Sequence, residues 1–150
     1  MSAAMDRRAF VATCAATCGG LMLGGCASLV THPVPVLGGQ VRLSLAAYPE
    51  LAKPAGAIRI QPEGFEDAIY VLASPAGGEG GGDEFTALSP ICTHRGCTVD
   101  VRGERLVCPC HGSTYDREGT VLRGPAERPL TRYAVQRSGE TLVIELGGGT

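Results

Sequence analysis

The hydrophobic positions of this chain fall into many short runs of strand length, separated by turn-forming residues. Apolar and polar side chains alternate from Val41 to Ala46, the period-two pattern of a strand with one buried face. Comparable runs predict further strands at Ala57–Gln61, Ala68–Ala73, Glu84–Leu88, Thr98–Val101, Arg105–Val107, Thr120–Leu122, Thr131–Gln136 and Thr141–Leu146. Because no helix longer than one or two turns is indicated after residue 26, the pattern predicts an all-β fold, an antiparallel sandwich or small barrel.

The N-terminal segment has the pattern of a targeting signal. Arg7 and Arg8 precede an uncharged run that ends at Thr31, and the arginine pair resembles a twin-arginine export signal. The segment that ends at Cys26, Leu-Gly-Gly-Cys, resembles a lipobox, which implies acylation of that cysteine. We therefore expect residues 1–26 to be an export signal. The alternative is an uncleaved membrane anchor, since about 20 apolar residues span a bilayer.

Residues 27–39 are predicted to be a tether between this signal and a domain at residues 40–147. The prolines of the segment favour an extended backbone and its glycines supply a joint. His32 lies in this segment, and we expect it to be solvated rather than to bind a metal. Ser74–Asp83 lies between two predicted strands and is glycine-rich, so it is predicted to be a hairpin loop. We do not expect it to bind phosphate, because it lacks the Gly-x-x-x-x-Gly-Lys pattern and no helix is predicted after it.

Composition supports a small β-rich domain and excludes one class of partner. The chain has 22 glycines and 10 prolines in 150 residues, which implies many turns. Its formal net charge is −2, and no basic stripe is present. Nucleic acid is therefore not expected as a partner.

Candidate chemistry is concentrated in two segments, Cys-Thr-His-Arg-Gly-Cys at 92–97 and Cys-Pro-Cys-His-Gly-Ser at 108–113. Each segment offers cysteine and histidine at short spacing, and each has one further cysteine. Thiolates suit iron–sulfur clusters, and imidazole suits iron or zinc. The same residues could therefore bind either of two kinds of metal centre, an iron–sulfur cluster or a structural zinc ion.

The two segments resemble the cluster-binding loops of the Rieske iron–sulfur family, and the resemblance extends from Gln40 to Leu146. It implies an antiparallel β-domain in which the two loops form a cluster-binding subdomain. It also implies a [2Fe–2S] cluster with two cysteine and two histidine ligands, here Cys92, His94, Cys108 and His111.

The extra cysteines, Cys97 and Cys110, match the disulfide of the high-potential branch of the family. Such a bond would persist outside the cytoplasm. Ser113 and Tyr115 stand where quinol-oxidising members carry hydroxyl groups that donate hydrogen bonds to the cluster and to cysteine sulfur. Hydrogen bonds of this kind raise the reduction potential. The Gly-Pro-Ala segment at 124–126 resembles the proline loop that covers the cluster.

These features predict a one-electron transfer protein tethered to the outer side of a bacterial membrane, on the periplasmic or outer face. Expected partners are a cytochrome or an oxidoreductase, and quinol is a further candidate. One alternative is the Rieske subunit of a quinol–cytochrome c oxidoreductase with an uncleaved anchor. Others are the small subunit of an exported molybdenum oxidase and a zinc module. A complete Rieske oxygenase is excluded, because it needs a second iron site and this chain has only three histidines.

Overall fold

The computed structural model describes residues 29–75 and 84–149, and these residues form β-strands joined by turns. Two one-turn 3₁₀ segments, Leu45–Ala47 and Pro49–Ala52, are the helical elements of this part of the chain. The predicted all-β fold is therefore confirmed. The strands are β1 (Thr31–Val34), β2 (Val36–Leu37), β3 (Gln40–Ser44), β4 (Ala57–Pro62), β5 (Ile69–Ala73), β6 (Phe85–Leu88), β7 (Asp100–Arg102), β8 (Arg105–Val107), β9 (Thr114–Tyr115), β10 (Val121–Arg123), β11 (Arg132–Ser138) and β12 (Thr141–Glu145).

The strands form two sheets. The large sheet has eight strands in the order β1-β4-β5-β6-β11-β12-β3-β2, and the small sheet has four in the order β10-β9-β8-β7. All pairings are antiparallel except that of β1 with β4, which is parallel. The small sheet is inserted in sequence between β6 and β11, which are neighbours in the large sheet.

Two hydrophobic cores follow from the alternation of side chains along the strands. β5 shows why both form, since all five of its residues are buried. Ile69, Val71 and Ala73 face the first core, which lies within the large sheet. Tyr70 and Leu72 point to the opposite face and pack in the second core against residues of the small sheet. A strand covered on both faces is uniformly apolar, which explains the uninterrupted pattern of this run.

The segment predicted to be a tether takes part in the large sheet. Thr31–Val34 pairs with Arg59–Pro62, and the exposed fraction of Val34 is only 3%. His32 is half-buried, with its ring edge-on to Tyr48 at a centroid distance of 5.3 Å. Residues 31–34 and 36–37 are therefore strands of the large sheet, where the sequence predicted a tether, and His32 is half-buried. Prolines are compatible with strands at a sheet edge, where the missing N–H groups are not needed.

Other parts of the predicted organisation differ or are not described. The strand predicted to begin at Thr98 begins at Asp100, because Thr98 forms only an isolated bridge with Ile91. The proposed export signal with Cys26, and most of the glycine-rich loop, lie outside the described residues. Within the described residues, no helix is long and apolar enough to cross a membrane.

Candidate metal centre

The two cysteine- and histidine-containing segments form loops with the same backbone geometry. The first loop (92–97) lies between β6 and β7, and the second (108–113) lies between β8 and β9. In each loop the first carbonyl accepts a hydrogen bond from a glycine, Gly96 at 2.9 Å in the first and Gly112 at 3.0 Å in the second. Both glycines have φ of 79°, a left-handed conformation that other residues adopt at a cost. Because β7 and β8 pair antiparallel, with Asp100 opposite Val107, the two loops lie at the same end of the small sheet.

A disulfide between Cys97 and Cys110 joins the loops, as predicted. The Cα atoms of the pair are 6.5 Å apart. The sulfur of Cys108 lies within 4.8 Å of both disulfide sulfurs. Because the two bonded sulfurs carry no thiolate, Cys108 is the metal-binding candidate among these three residues.

The four predicted ligands form a cysteine pair and a histidine pair. Cys92 and Cys108 are free thiols with exposed fractions of 2% and 1%. The rings of His94 and His111 are nearly perpendicular, with centroids 4.9 Å apart. His94 is half-buried and His111 is exposed. The arrangement therefore has two thiols inside the protein and two imidazoles towards its surface.

Hydrogen bonds to Cys92 favour the thiolate form that binds metal. Burial raises the pKa of its thiol, but hydrogen bonds from Tyr115, the His94 backbone, Cys108 and Ser113 together lower the pKa below its usual value. The Tyr115 hydroxyl oxygen is 3.2 Å from the Cys92 sulfur. Burial, and then the hydrogen bond with Cys92, raise the pKa of Tyr115, so its hydroxyl stays protonated and donates.

A ring nitrogen of His94 without a hydrogen bond is evidence on whether these residues fit an iron–sulfur cluster. Its Nδ1 atom is buried and has no hydrogen-bond partner among the described residues. Buried polar atoms nearly always have a partner, and an imidazole nitrogen without one has a lone pair that can bind a metal. The two other such atoms of the described residues, the Nε atoms of Arg59 and Arg117, are N–H donors and cannot be ligands. Two thiols and two imidazoles are also the donor set of a Rieske cluster. The residues therefore fit the cluster.

Side-chain hydroxyls hold residues 124–128, which include the Gly-Pro-Ala segment, against both cysteine- and histidine-containing loops. Ser113, fully buried, accepts a hydrogen bond at 3.0 Å from the backbone N–H of Ala126. Thr93 donates to the carbonyl of Arg128 at 2.6 Å and contacts the Tyr115 hydroxyl at 3.2 Å. The role of Thr93 was not predicted from the sequence, because no local motif indicates a contact with a residue 35 positions away.

Comparison with known proteins agrees with this geometry. The family model of the Rieske [2Fe-2S] domain matches residues 57–134. The chain belongs to this family. As a Rieske domain it binds a [2Fe–2S] cluster, so the alternative of a zinc module is not retained.

Curated relatives of this Rieske protein are iron–sulfur subunits of the cytochrome b6-f complex. Over 110 residues it is 38% identical to the cytochrome b6-f complex iron–sulfur subunit 1 of Cyanophora paradoxa, covering 71% of this chain and 43% of that protein. Over 67 residues it is 39% identical to the corresponding subunit of Chlorobaculum tepidum, covering 43% of this chain and 37% of that one. The chain thus spans about two fifths of the length of these relatives. A chain of a hyperthermophilic respiratory Complex III shares the fold, with a TM-score of 0.52 and 24% identity over 67% of this chain and 71% of that one.

Proposed function

We propose that this Rieske protein is a one-electron carrier whose cluster is held by Cys92 and Cys108 on one iron and by His94 and His111 on the other. The observation that carries the proposal is the orphaned Nδ1 of His94, beside a second imidazole and near two buried free thiols. When bound, a [2Fe–2S] cluster accepts or releases one electron at a time. The disulfide between the loops keeps the two halves of the site together.

Tyr115 and Ser113 are proposed to raise the reduction potential. Hydrogen bonds to sulfur stabilise the more negative, reduced state. The Tyr115 hydroxyl has the required contact with the Cys92 sulfur. Ser113 accepts from Ala126, which leaves its own hydrogen available for donation. Histidine-ligated clusters lie between roughly −150 and +300 mV, and these two hydroxyls favour the upper part of that range.

The exposed position of His111 supports electron transfer to a partner that docks at the cluster end of the molecule. Its imidazole is exposed, whereas both free cysteines are buried. A redox partner can therefore approach the histidine side more closely than the cysteine side. A cytochrome or an oxidoreductase is the proposed partner class, and quinol is a further candidate because an exposed imidazole can form a hydrogen bond with it.

We propose that the carrier works on the outer side of a bacterial membrane. Three features support this location: the signal-like residues 1–26, the lipobox that ends at Cys26, and the disulfide, a bond that is rare in the cytosol. A second candidate is the Rieske subunit of a quinol–cytochrome oxidoreductase. The identity with cytochrome b6-f subunits favours it.

Spectroscopy of the purified protein tests the central proposal. We expect an orange-brown protein with a Rieske-type EPR signal that is lost in Cys108→Ser and in His94→Ala. The matched control is His32→Ala, which removes the histidine outside the two loops. A Rieske signal retained in either ligand variant would contradict the assignment of the ligands.

The two candidate functions differ in how the protein is held at the membrane. A lipid-anchored carrier should incorporate labelled fatty acid, and Cys26→Ala should abolish the labelling. A complex subunit should co-purify with a cytochrome b after that substitution. Stable co-purification with no lipid label would contradict the tethered carrier and support the subunit.

A further inference from the structure

A buried arginine connects the small sheet to the large one. Arg117 follows β9 and has an exposed fraction of 3%. Its Nη1 donates to the carbonyl of Gly103 at 2.7 Å, and its Nη2 donates to the carbonyl of Gly56 at 2.5 Å. Gly103 lies in the turn between β7 and β8, and Gly56 immediately precedes β4. One guanidinium therefore joins backbone groups of both sheets.

This arginine is unusual because its charge forms no ion pair with an acidic residue of the described part of the chain. Arginine is almost never fully buried without an anion, since desolvation of a charge is costly. No ion pair in residues 29–75 and 84–149 involves Arg117. Burial lowers the pKa of Arg117, and the charges of Glu118 and Glu104 only partly oppose this effect. Two carbonyl dipoles thus stabilise the charge, and they fix its position.

The arginine is close in the chain to a contact that crosses between the sheets. Cys92 follows β6 of the large sheet, while Tyr115 lies on β9 of the small sheet. Their 3.2 Å contact therefore depends on how the two sheets are placed. Arg117 is separated from Tyr115 by Asp116 alone, whose Oδ1 accepts a hydrogen bond from Thr120 at 2.7 Å. The backbone N–H of Asp116 also donates to the carbonyl of Thr120 at 3.0 Å, so this turn begins directly after Tyr115 and contains Arg117.

We propose that Arg117 is a positioning residue: by anchoring the end of β9 to Gly56 of the large sheet, it holds the Tyr115 hydroxyl on the Cys92 sulfur and thereby helps to set the cluster's reduction potential. The proposal rests on the proposed function, because it requires a bound cluster. A second link, from the Tyr70 hydroxyl to the Val99 carbonyl at 2.7 Å, also joins the sheets. Loss of Arg117 should therefore loosen the small sheet without detaching it.

A double-mutant cycle on the holoprotein tests the proposal. Arg117→Met removes the charge at similar length, and Arg117→Lys keeps the charge but replaces the two-pronged group by one nitrogen. We expect both substitutions to lower the midpoint potential. Both shifts should disappear in a Tyr115→Phe background, because the hydroxyl group that Arg117 positions is then absent. Arg105→Met, on an exposed arginine of β8, is the matched control and should leave the potential unchanged.

Two results would overturn this role. The first is a potential shift in Arg117→Met that is equal in both backgrounds, with Arg117→Lys unchanged, since that pattern means a charge effect alone. The second is an unchanged potential in both Arg117 variants. A protein without substitutions that lacks a Rieske EPR signal would contradict the proposed function and this inference together, whereas a normal signal with additive shifts contradicts this inference alone.

Hydrogen exchange gives a second readout, which remains available if Arg117→Met does not fold. In Arg117→Lys we expect amides of β7, β8 and β9 to exchange about tenfold faster, a local opening made easier by about 1.4 kcal/mol. Amides of β3 and β12, on the far side of the large sheet, should be unaffected. Uniform acceleration over both sheets would show a general loss of stability and would overturn the positioning role.

Discussion

Substitution of Tyr115 by phenylalanine removes the hydroxyl that contacts the metal centre and Thr93. The Tyr115 side chain is fully buried, and its ring packs in the second hydrophobic core. Its hydroxyl contacts the Cys92 sulfur at 3.2 Å and accepts from the Thr93 backbone N–H at 3.3 Å. Tyr115→Phe keeps the ring and removes only the hydroxyl, so the packing of the core should be retained.

The size of the effect follows from the hydrogen bond that is lost. A net hydrogen bond contributes about 1 kcal/mol, and one to a charged group contributes more. If the bond is stronger in the reduced state by about 1 kcal/mol, the potential of a one-electron couple falls by about 40 mV, since a tenfold change in equilibrium is about 59 mV. The direction is downward, because the hydroxyl stabilises the state with more negative charge on sulfur.

Redox titration followed by EPR measures this shift directly. The midpoint potential of Tyr115→Phe should lie below that of the protein without substitutions, with the Rieske signal retained. Tyr133→Phe is the control, because Tyr133 packs against the first core, away from the cluster loops. An unchanged or higher potential in Tyr115→Phe would refute the role of this hydrogen bond.

Three further predictions concern stability. Gly112→Ala should lower the free energy of unfolding by about 1–2 kcal/mol, because φ is +79° even though no atom lies within 4 Å of the added Cβ. Gly56→Ala should lower it far more or prevent folding, because the added Cβ would lie 1.9 Å from the Glu50 carbonyl oxygen. Chemical denaturation measures both losses of stability, and equal losses would contradict the reasoning. Replacing Cys97 and Cys110 together by alanine should destabilise by about 2–4 kcal/mol and speed cluster loss to a chelator, and an unchanged loss rate would contradict a role in holding the loops. Ile144→Ala, at a fully buried position, should cost about 2–5 kcal/mol in a thermal melt without shifting the potential, because it lies in the first core.

Local patterns in the sequence were sufficient to predict most strands and both cluster loops. Alternation is a short-range signal, and the predicted strand at Ala57–Gln61 differs from β4 by one residue. The loops could be predicted because the cysteines and histidines of each lie within six consecutive positions. β1 and β2 were missed because Pro33 and Pro35 interrupt the pattern of an edge strand. Register and edge position depend on tertiary pairing, which short-range patterns do not encode.

The contacts that tune the site were harder to predict, since they join distant parts of the chain. The hydrogen bond from Arg117 to Gly56 spans 61 residues, and the one from Tyr70 to Val99 spans 29. Neither residue has a local motif that sets it apart from an ordinary surface arginine or core tyrosine. The proposed donor set can therefore be selected from the sequence, whereas the placement of the hydroxyls around it required the folded structure.

Division of the site between two sheets has a consequence for the properties of the cluster. Cys92 extends from the large sheet, and Cys108 and Tyr115 belong to loops and strands of the small sheet. The second core, which includes Leu88 and Leu106, sets the distance between these two groups. Since a hydrogen bond weakens steeply with length and angle, small changes in this packing change the potential while the ligands stay the same. We therefore expect the potential of this Rieske domain to depend on inter-sheet packing as well as on its loops.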